Sequence, residues 1–216
     1  MPDKLVRLRK GITVEIQGPI YQQKFWLKGQ FYEQKMLNYI HQHYHGGTFI
    51  DGGACIGNHT LWFAAFCAGQ VIAVEPVSRN ITHLKRNLTL SNLEDKVTVL
   101  EVALGNHPSH GSMKAIGRFH GQYALTNGND VTITTLDEVA KEAKYPISLI
   151  KLDIEGSELA ALEGAFNLLN KQGPGLFIEL KTKPEQDTVG QFLGDLGYVR
   201  GRRFNASPTF EFRKRK

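Results

Sequence analysis

Thr48-Phe49-Ile50-Asp51-Gly52-Gly53-Ala54-Cys55-Ile56-Gly57-Asn58-His59-Thr60 is the stretch from which the fold can be read. A short apolar run ends in an acid, a glycine-rich turn follows, and residues 60–68 are apolar with helical spacing. Strand, glycine turn and helix open a βαβ unit, in which glycine lets the backbone bend sharply and approach a ligand closely. The alternation then continues. Val71-Ile72-Ala73-Val74-Glu75 is a second buried strand closed by an acid, residues 81–90 form a helix with a basic face, and Val97-Thr98-Val99-Leu100 is a third strand. Residues 107–129, rich in Gly, His and Asn, read as an irregular insertion with one strand, and Val131-Thr132-Ile133-Thr134 as another.

Further along, Thr135-Leu136-Asp137-Glu138 has the spacing of a capping box for a helix ending near Lys144. Ser148-Leu149-Ile150-Lys151-Leu152 is a fourth core strand. Residues 157–169 form an amphipathic helix with Leu159, Leu162, Phe166 and Leu169 on one stripe, stopped before Gly173-Pro174-Gly175. Leu176-Phe177-Ile178-Glu179-Leu180 is the next strand, residues 189–196 a helix, and Tyr198-Val199-Arg200 with Thr209-Phe210-Glu211-Phe212 a terminal hairpin. Upstream, Leu5-Val6-Arg7-Leu8 and Ile12-Thr13-Val14-Glu15-Ile16 are short β runs around Lys10-Gly11, and residues 31–43 form a helix stopped by Gly46-Gly47. Apolar strands separated by amphipathic helices imply an α/β, Rossmann-like fold with a mostly parallel sheet covered on both faces. Residues 1–46 are expected to cap residues 47–216, the two forming one globular unit.

Composition narrows the classes. The 216 residues are 41% hydrophobic, an ordinary globular content. No apolar run approaches the roughly 20 residues of a membrane helix, and Met1-Pro2-Asp3-Lys4 does not open a secretory segment. Two cysteines, Cys55 and Cys67, without a CxxC pair argue against a disulfide scaffold or zinc knot and for a reducing cytoplasm. The net charge is +5, with much of the excess in Arg200, Arg202, Arg203 and the final Arg213-Lys214-Arg215-Lys216. Such a tail either attracts phosphate-rich partners such as nucleic acid or is simply a solvated end.

In open α/β sheets, ligands sit beyond the carboxyl ends of the strands where strand order reverses. Asp51 stands just before the glycines, where it would repel a dinucleotide's pyrophosphate. It would favour S-adenosylmethionine, which carries an ammonium and a sulfonium and no phosphate. Gly52 and Gly53 are adjacent and Gly57 follows four later, which is not the G-x-G-x-x-G dinucleotide spacing. Glu75 suits acceptance from two ribose hydroxyls in either ligand.

The segments around residues 49–60, Val74-Glu75-Pro76 and Ile150-Lys151-Leu152-Asp153-Ile154-Glu155-Gly156 resemble the FkbM family of methyltransferases. Gly29-Gln30-Phe31-Tyr32-Glu33, Thr135-Leu136-Asp137, Phe177-Ile178-Glu179-Leu180 and Phe204-Asn205-Ala206-Ser207-Pro208-Thr209 fit as well, so the resemblance runs from about Gly29 to Phe210. It implies a class I methyltransferase fold, a seven-stranded sheet with an antiparallel last strand, S-adenosylmethionine as donor and, commonly, oxygen methylation. Carried over by position, it implies that Asp51, Gly53 and the loop Ala54–Thr60, with Ala54, Gly57, Asn58, His59 and Thr60, hold the methionine part. Glu75 would hold the ribose and Glu101, Val102 and Ala103 border the adenine, with Tyr32, Gly52, Pro76 and Asp153 also at the donor. Cys55 departs from the family's usual Asn.

An alcohol that accepts a methyl group must lose its proton, which calls for a base or a metal. Asp153 at the end of its strand, Glu155 two residues on and Glu179 on the neighbouring strand offer three carboxylates at adjacent strand ends. These form either a base with its orienting partner or an oxygen-rich Mg²⁺ site. Asp153 is the first choice for the base and Glu155 the second. Lys151 shares a strand face with Asp153 and is its charge partner or supports a negatively charged substrate. Glu158 belongs to the first turn of the next helix. His41, His43 and His45 are read as a polar helix end rather than a metal site. Trp26, Tyr32, Phe119, His120 and Tyr123 either line an acceptor pocket or belong to the core. The leading expectation is O-methylation of a glycan or small metabolite. The rival readings are a nucleic-acid methyltransferase, an NAD-dependent oxidoreductase and a non-catalytic S-adenosylmethionine-binding module.

Overall fold

A computed structural model of the protein describes residues 4–18, 20–116 and 122–215. The chain opens with β1 (Lys4–Arg7), β2 (Thr13–Ile16), α1 (Gln23–Trp26) and α2 (Gln34–His43). It continues through β3 (Thr48–Gly52), α3 (Asn58–Phe66), β4 (Gln70–Val74), α4 (Ser78–Ser91) and β5 (Val97–Leu100). Next come β6 (Ala103–Leu104), β7 (Ser109–Ala115), β8 (Tyr123–Thr134), α5 (Leu136–Val139) and β9 (Ile147–Leu152). The last elements are α6 (Glu158–Glu163), α7 (Phe166–Lys171), β10 (Gly175–Glu179), α8 (Lys183–Asp195), β11 (Tyr198–Phe204) and β12 (Thr209–Lys214). No described helix is long and apolar enough to cross a membrane.

Seven strands form the central sheet in the order β11-β12-β10-β9-β3-β4-β5. Neighbours run parallel except β12, which is antiparallel to both β10 and β11. This is the class I methyltransferase arrangement implied by the sequence resemblance. Its logic is the two-residue alternation of a strand buried on both faces. Phe49, Val71, Leu149 and Phe177 pack on one face, with α2, α3, α4 and the N-terminal strands. Ile50, Ile72, Ile150 and Ile178 pack on the other, with the helices between α5 and α8. β2 is tied to α4 by the Glu15 N–H, which donates to Asn87 Oδ1 at 2.9 Å, and by Ser91 Oγ, which donates to the Thr13 carbonyl at 2.8 Å.

The chain works outward from β3 to β5 and then returns to β9, so the strand order reverses between β3 and β9. At that reversal the turn after β3 and the loop after β9 nearly touch. The Asp153 N–H donates to the Gly52 carbonyl at 3.1 Å. Gly53 has φ 77°, and a Cβ there would stand 1.9 Å from the Asp153 carbonyl oxygen. Only glycine fits.

Two readings of the sequence need correction. The described residues between 107 and 129 are largely regular: they form β7 and the first part of β8, antiparallel strands whose register jumps between Gly111–Val131 and Ser112–Thr126. Only Gly111 and Ile133 of the two strands are fully buried, so no apolar alternation marked them. The helix expected over 157–169 is two, α6 and α7, broken at Gly164, where a Cβ would lie 2.2 Å from the Gly105 carbonyl oxygen. The break changes the phase, leaving Phe166 exposed while Leu168 and Leu169 face the core. In contrast, α8 begins six residues before its expected start, behind a complete capping box between Thr182 and Glu185.

Gly53→Ala is expected to lower stability by roughly 2–4 kcal/mol, because it adds a left-handed alanine to a backbone clash. Urea unfolding of the two proteins measures it; equal midpoints would show that the loops separate freely.

Candidate active site

Beyond the carboxyl ends of β3, β4, β9 and β10 lies a cavity of about 560 Å³. One part of its wall is Gly53, Cys55, Glu75, Pro76, Val102 and Ala103. Another is Tyr32, Asp153, Glu155, Glu179 and Lys181, and β7 and β8 add Met113, Tyr123 and Leu125.

Glu75 follows β4 and is 5% exposed. Its Oε2 accepts from the Cys55 N–H at 2.8 Å, and its Oε1 from the Val77 N–H at 3.0 Å and Asn80 Nδ2 at 3.1 Å. Burial raises its pKa, against the pull of those donors. Cys55 has φ 50°, a left-handed conformation that asparagine tolerates better than most residues. Burial, first, and the neighbouring Glu75 push its thiol far above the usual range, so it stays neutral.

Asp153, Glu155 and Glu179 each place a carboxylate oxygen within 4.8 Å of the others. Lys151 is almost fully buried, with Nζ 3.4 Å from Asp51 Oδ1 and 3.8 Å from Asp153 Oδ2. Burial opposes its charge, but Asp51 and Asp153 outweigh that and hold the ammonium above its ordinary range. In return, Asp153 titrates below the usual carboxylate range: burial works against ionisation, and Lys151, a hydrogen bond with Glu179, and the nearby His59 and Lys181 together outweigh it. Glu179 moves the other way. Burial, then the charge of Asp153, push it up to about 8. Lys181 Nζ lies 3.1 Å from Glu179 Oε2 and also pairs with Glu155.

The N-terminal segment is clamped to this site by Asn58, the first residue of α3. Its Oδ1 accepts from Trp26 Nε1 at 3.1 Å and from the Tyr32 N–H at 3.0 Å, and its Nδ2 donates to the Tyr32 carbonyl at 3.1 Å. Beside it, His59 Nε2 meets Glu33 Oε2 at 3.0 Å, both side chains buried. Burial, then the carboxylates of Glu33 and Asp153, keep the Tyr32 phenol protonated well beyond its ordinary range.

Of the residues singled out by sequence, the cavity wall gathers Tyr32, Gly53, Glu75, Pro76, Val102, Ala103, Asp153, Glu155 and Glu179. Asp51 lies beneath it, 0% exposed, with Oδ2 accepting from Thr60 Oγ1 at 2.6 Å. Its charge therefore faces Lys151 rather than the cavity, because the two residues are register partners on β3 and β9. Gly52, Ala54, Gly57, Asn58, His59 and Thr60 are in the supporting layer, outside the lining. Glu101 lies in a smaller neighbouring groove with Ser78. Glu158 folds back on the Asp153 loop, accepting from the N–H groups of Ile154 at 2.9 Å and Gly156 at 3.0 Å.

Trp26 is buried core, Tyr123 lines the cavity, and Phe119 and His120 lie outside the described residues. His41 and His43 are hydrogen-bonded through Nδ1 to the carbonyls of Phe66 and Tyr39, as suits a helix end. Arg200, Arg202, Arg203, Arg213 and Lys214 are built into the β11–β12 hairpin. Arg200 stacks on Phe210, Arg202 on Tyr39 and Lys214 on Tyr198, while Arg213 pairs with the buried Glu211. Sequence reasoning missed Lys181, whose signal was its position two residues beyond Glu179 on a strand direction.

Among curated proteins, no sequence matches this one significantly. Solved structures share its fold. The methyltransferase FkbM from Methylobacillus flagellatus KT superposes with a TM-score of 0.57 at 21% identity, over 77% of this chain. This chain spans only 43% of that protein. An rRNA methylase from Streptococcus thermophilus gives 0.55 at 13% identity, over 85% of this chain and 96% of its own. TrmK from M. capricolum, in complex with S-adenosyl-homocysteine, gives 0.52 at 11% identity, over 84% and 68%. The sequence profile of the methyltransferase FkbM domain matches residues 51–200, from Asp51 near the end of β3 to the first half of β11. That match takes in well over half of the chain, and the protein belongs to the FkbM family of S-adenosylmethionine-dependent methyltransferases.

Proposed function

We propose that the chain transfers a methyl group to a hydroxyl oxygen of a glycan or small metabolite, with Glu179 receiving the proton. The observation that carries this reading is the meeting, in one cavity, of the held carboxylate of Glu75 with the cluster Asp153, Glu155 and Glu179.

The donor side fits S-adenosylmethionine on two counts. Glu75 is oriented by three donors and lines the cavity, as acceptance from a ribose diol requires. Gly53 leaves bare backbone on the wall where no side chain has room. When bound, S-adenosylmethionine supplies an electrophilic methyl carbon on a positively charged sulfur. Glu75 and Pro76 would hold its ribose, Val102 and Ala103 its adenine, and Gly53 with Tyr32 its methionine part. Asp51 would act from below, through Lys151 and Thr60.

An alcohol is a weak nucleophile until its proton has somewhere to go. Asp153 is held ionised by Lys151 and is a poor proton acceptor, although sequence made it the first choice. Glu179, lifted to about 8 by burial and by Asp153, is well matched to a proton near neutral pH. In this reading Glu179 takes the hydroxyl proton as the oxygen gains the methyl group, and Asp153 remains the fixed charge that keeps Glu179 basic.

Three carboxylates at the reactive end also select the acceptor. Lys181, the cation of the described cavity wall, is already paired with Glu155 and Glu179, so a phosphodiester would find no free positive charge there, whereas a neutral, hydroxyl-rich molecule needs none. The same reading takes residues 1–46 as a cap folding as one unit with residues 47–216. It also puts the chain in a reducing cytoplasm, in keeping with two buried cysteines that form no disulfide.

With methyl-labelled donor, label is expected in the polysaccharide or small-metabolite fraction of a cell extract; label confined to RNA or DNA would replace this acceptor with nucleic acid. Glu75→Gln is expected to weaken adenosylhomocysteine binding about tenfold or more, as loss of a charged hydrogen-bond acceptor does; calorimetry giving the wild-type affinity would remove Glu75 from the ribose. A base works when deprotonated, so kcat/KM should climb with rising pH up to about 8 and level off above it. Glu179→Gln should cut turnover roughly 10²–10⁴-fold and abolish that limb. A profile unchanged in Glu179→Gln would assign the proton elsewhere.

A further inference from the structure

We propose that the ammonium of Lys181 stands in the acid cluster where a divalent cation would otherwise be held, and positions Glu155 and Glu179 in its stead. The proposal rests on the cluster as the reactive end of the site, but its test makes no use of turnover.

Once Glu179 has lost its proton, three carboxylates this close repel one another unless a cation lies among them. Oxygen-only sets of this kind suit Mg²⁺ or Ca²⁺, so the question is which cation fills the gap. Lys151 serves one flank, from below, through Asp153 and Asp51. The other flank belongs to Lys181, whose Nζ is 3.1 Å from Glu179 Oε2 and hydrogen-bonded to Glu155 Oε2. A metal ion bridging Glu155 and Glu179 would need the oxygens that Lys181 already holds.

The fold puts Lys181 there by construction. Residues two apart along an extended chain share a side, so Lys181 follows Glu179 toward the cavity, while Leu180 between them is buried at 1% exposure. The Leu180 N–H donates to the Pro208 carbonyl at 2.8 Å, which fixes the backbone on one side. On the other side, the Thr182–Glu185 capping box starts α8 immediately. Glu155 is drawn in from the opposite loop with φ 55°, left-handed like Gly156 after it, and Gln122 Nε2 donates to its Oε1 at 3.3 Å. Lys181 thus bridges two separate loops. An ammonium can orient both carboxylates and balance their charge, but it offers no open coordination position to an acceptor oxygen. Proton removal then falls to a carboxylate.

The test is titration of the full chain with Mn²⁺, followed by the electron paramagnetic resonance signal of the unbound ion. Wild-type protein should leave that signal unchanged to millimolar Mn²⁺. Lys181→Ala should take up one Mn²⁺ per chain, at least tenfold more tightly than wild type, and lose it again when Glu155→Gln and Glu179→Gln are added. Lys181→Arg should remain closed to Mn²⁺, and Lys183→Ala, an exposed lysine on α8, should behave as wild type. Circular dichroism checks that each variant is folded, and Lys181→Gln replaces the alanine if that unfolds. The proposal is overturned if wild type binds one Mn²⁺ that Glu155→Gln with Glu179→Gln abolishes. It is equally overturned if the folded Lys181→Ala protein binds none. Failure of adenosylhomocysteine to bind wild type, measured separately, would bear on the donor and leave this result standing.

Discussion

Beneath the cavity a lysine ammonium is sealed among carboxylates, and the geometry of the site follows from it. Lys151 Nζ reaches Asp51 at 3.4 Å, Asp153 at 3.8 Å and the Gly53 carbonyl at 3.4 Å. A charge this deep is tolerable only with partners, and removing one partner of such a group costs about 3–5 kcal/mol. The net stabilisation from the set is small by comparison, since desolvation offsets most of the attraction. What the set supplies is position. It ties the end of β3 to the end of β9 at the point where strand order reverses, and holds Asp153 ionised at the cavity wall.

Two loops then have no freedom left. Gly53 passes so close to Asp153 that a side chain could not fit, and Glu158 fastens the Asp153 loop through the Ile154 and Gly156 N–H groups. Glu179, on the next strand, meets a neighbour whose charge cannot be titrated away near neutral pH. Burial, and then that charge, raise its own proton affinity. A buried cation under one carboxylate thereby makes a base of another, and the two acids acquire different roles from different surroundings.

The layout of the sheet was legible because its signals are local: apolar runs of strand length, glycines at the first turn, acids at strand ends. The pairing of β7 and β8 was not, since most of both strands is solvated and, of their residues, only Gly111 and Ile133 are deeply buried. The break at Gly164 depends on the Gly105 carbonyl, fifty-nine positions earlier, and no periodicity reports such a contact. The same division holds in the site. Residue type and strand end marked Asp51, Glu75, Asp153 and Glu179 as the acids of interest. Which way each one works depends on partners across the sheet. Asp51 was expected to face the donor's cations, yet its register partner Lys151 takes that charge, so the family match rather than Asp51 separates this chain from the dinucleotide-binding enzymes. Lys181 was passed over although Glu179 and the strand period pointed to its side.

The amino end of α3 completes the argument against a phosphate ligand. A helix start after a glycine turn is ordinarily an anion site, because its unpaired N–H groups and its dipole both favour negative charge. Here the chain brings a carboxylate of its own alongside. Asn58 grips the backbone of Tyr32 on both sides, and Glu33 brings its carboxylate onto His59 in the first turn. With that carboxylate buried beside the helix start, a pyrophosphate placed there would meet like charge. The N-terminal segment is therefore more than a cover. It converts a glycine turn that resembles a nucleotide cradle into the wall of a pocket, and it sets Tyr32 facing the acids across the cavity.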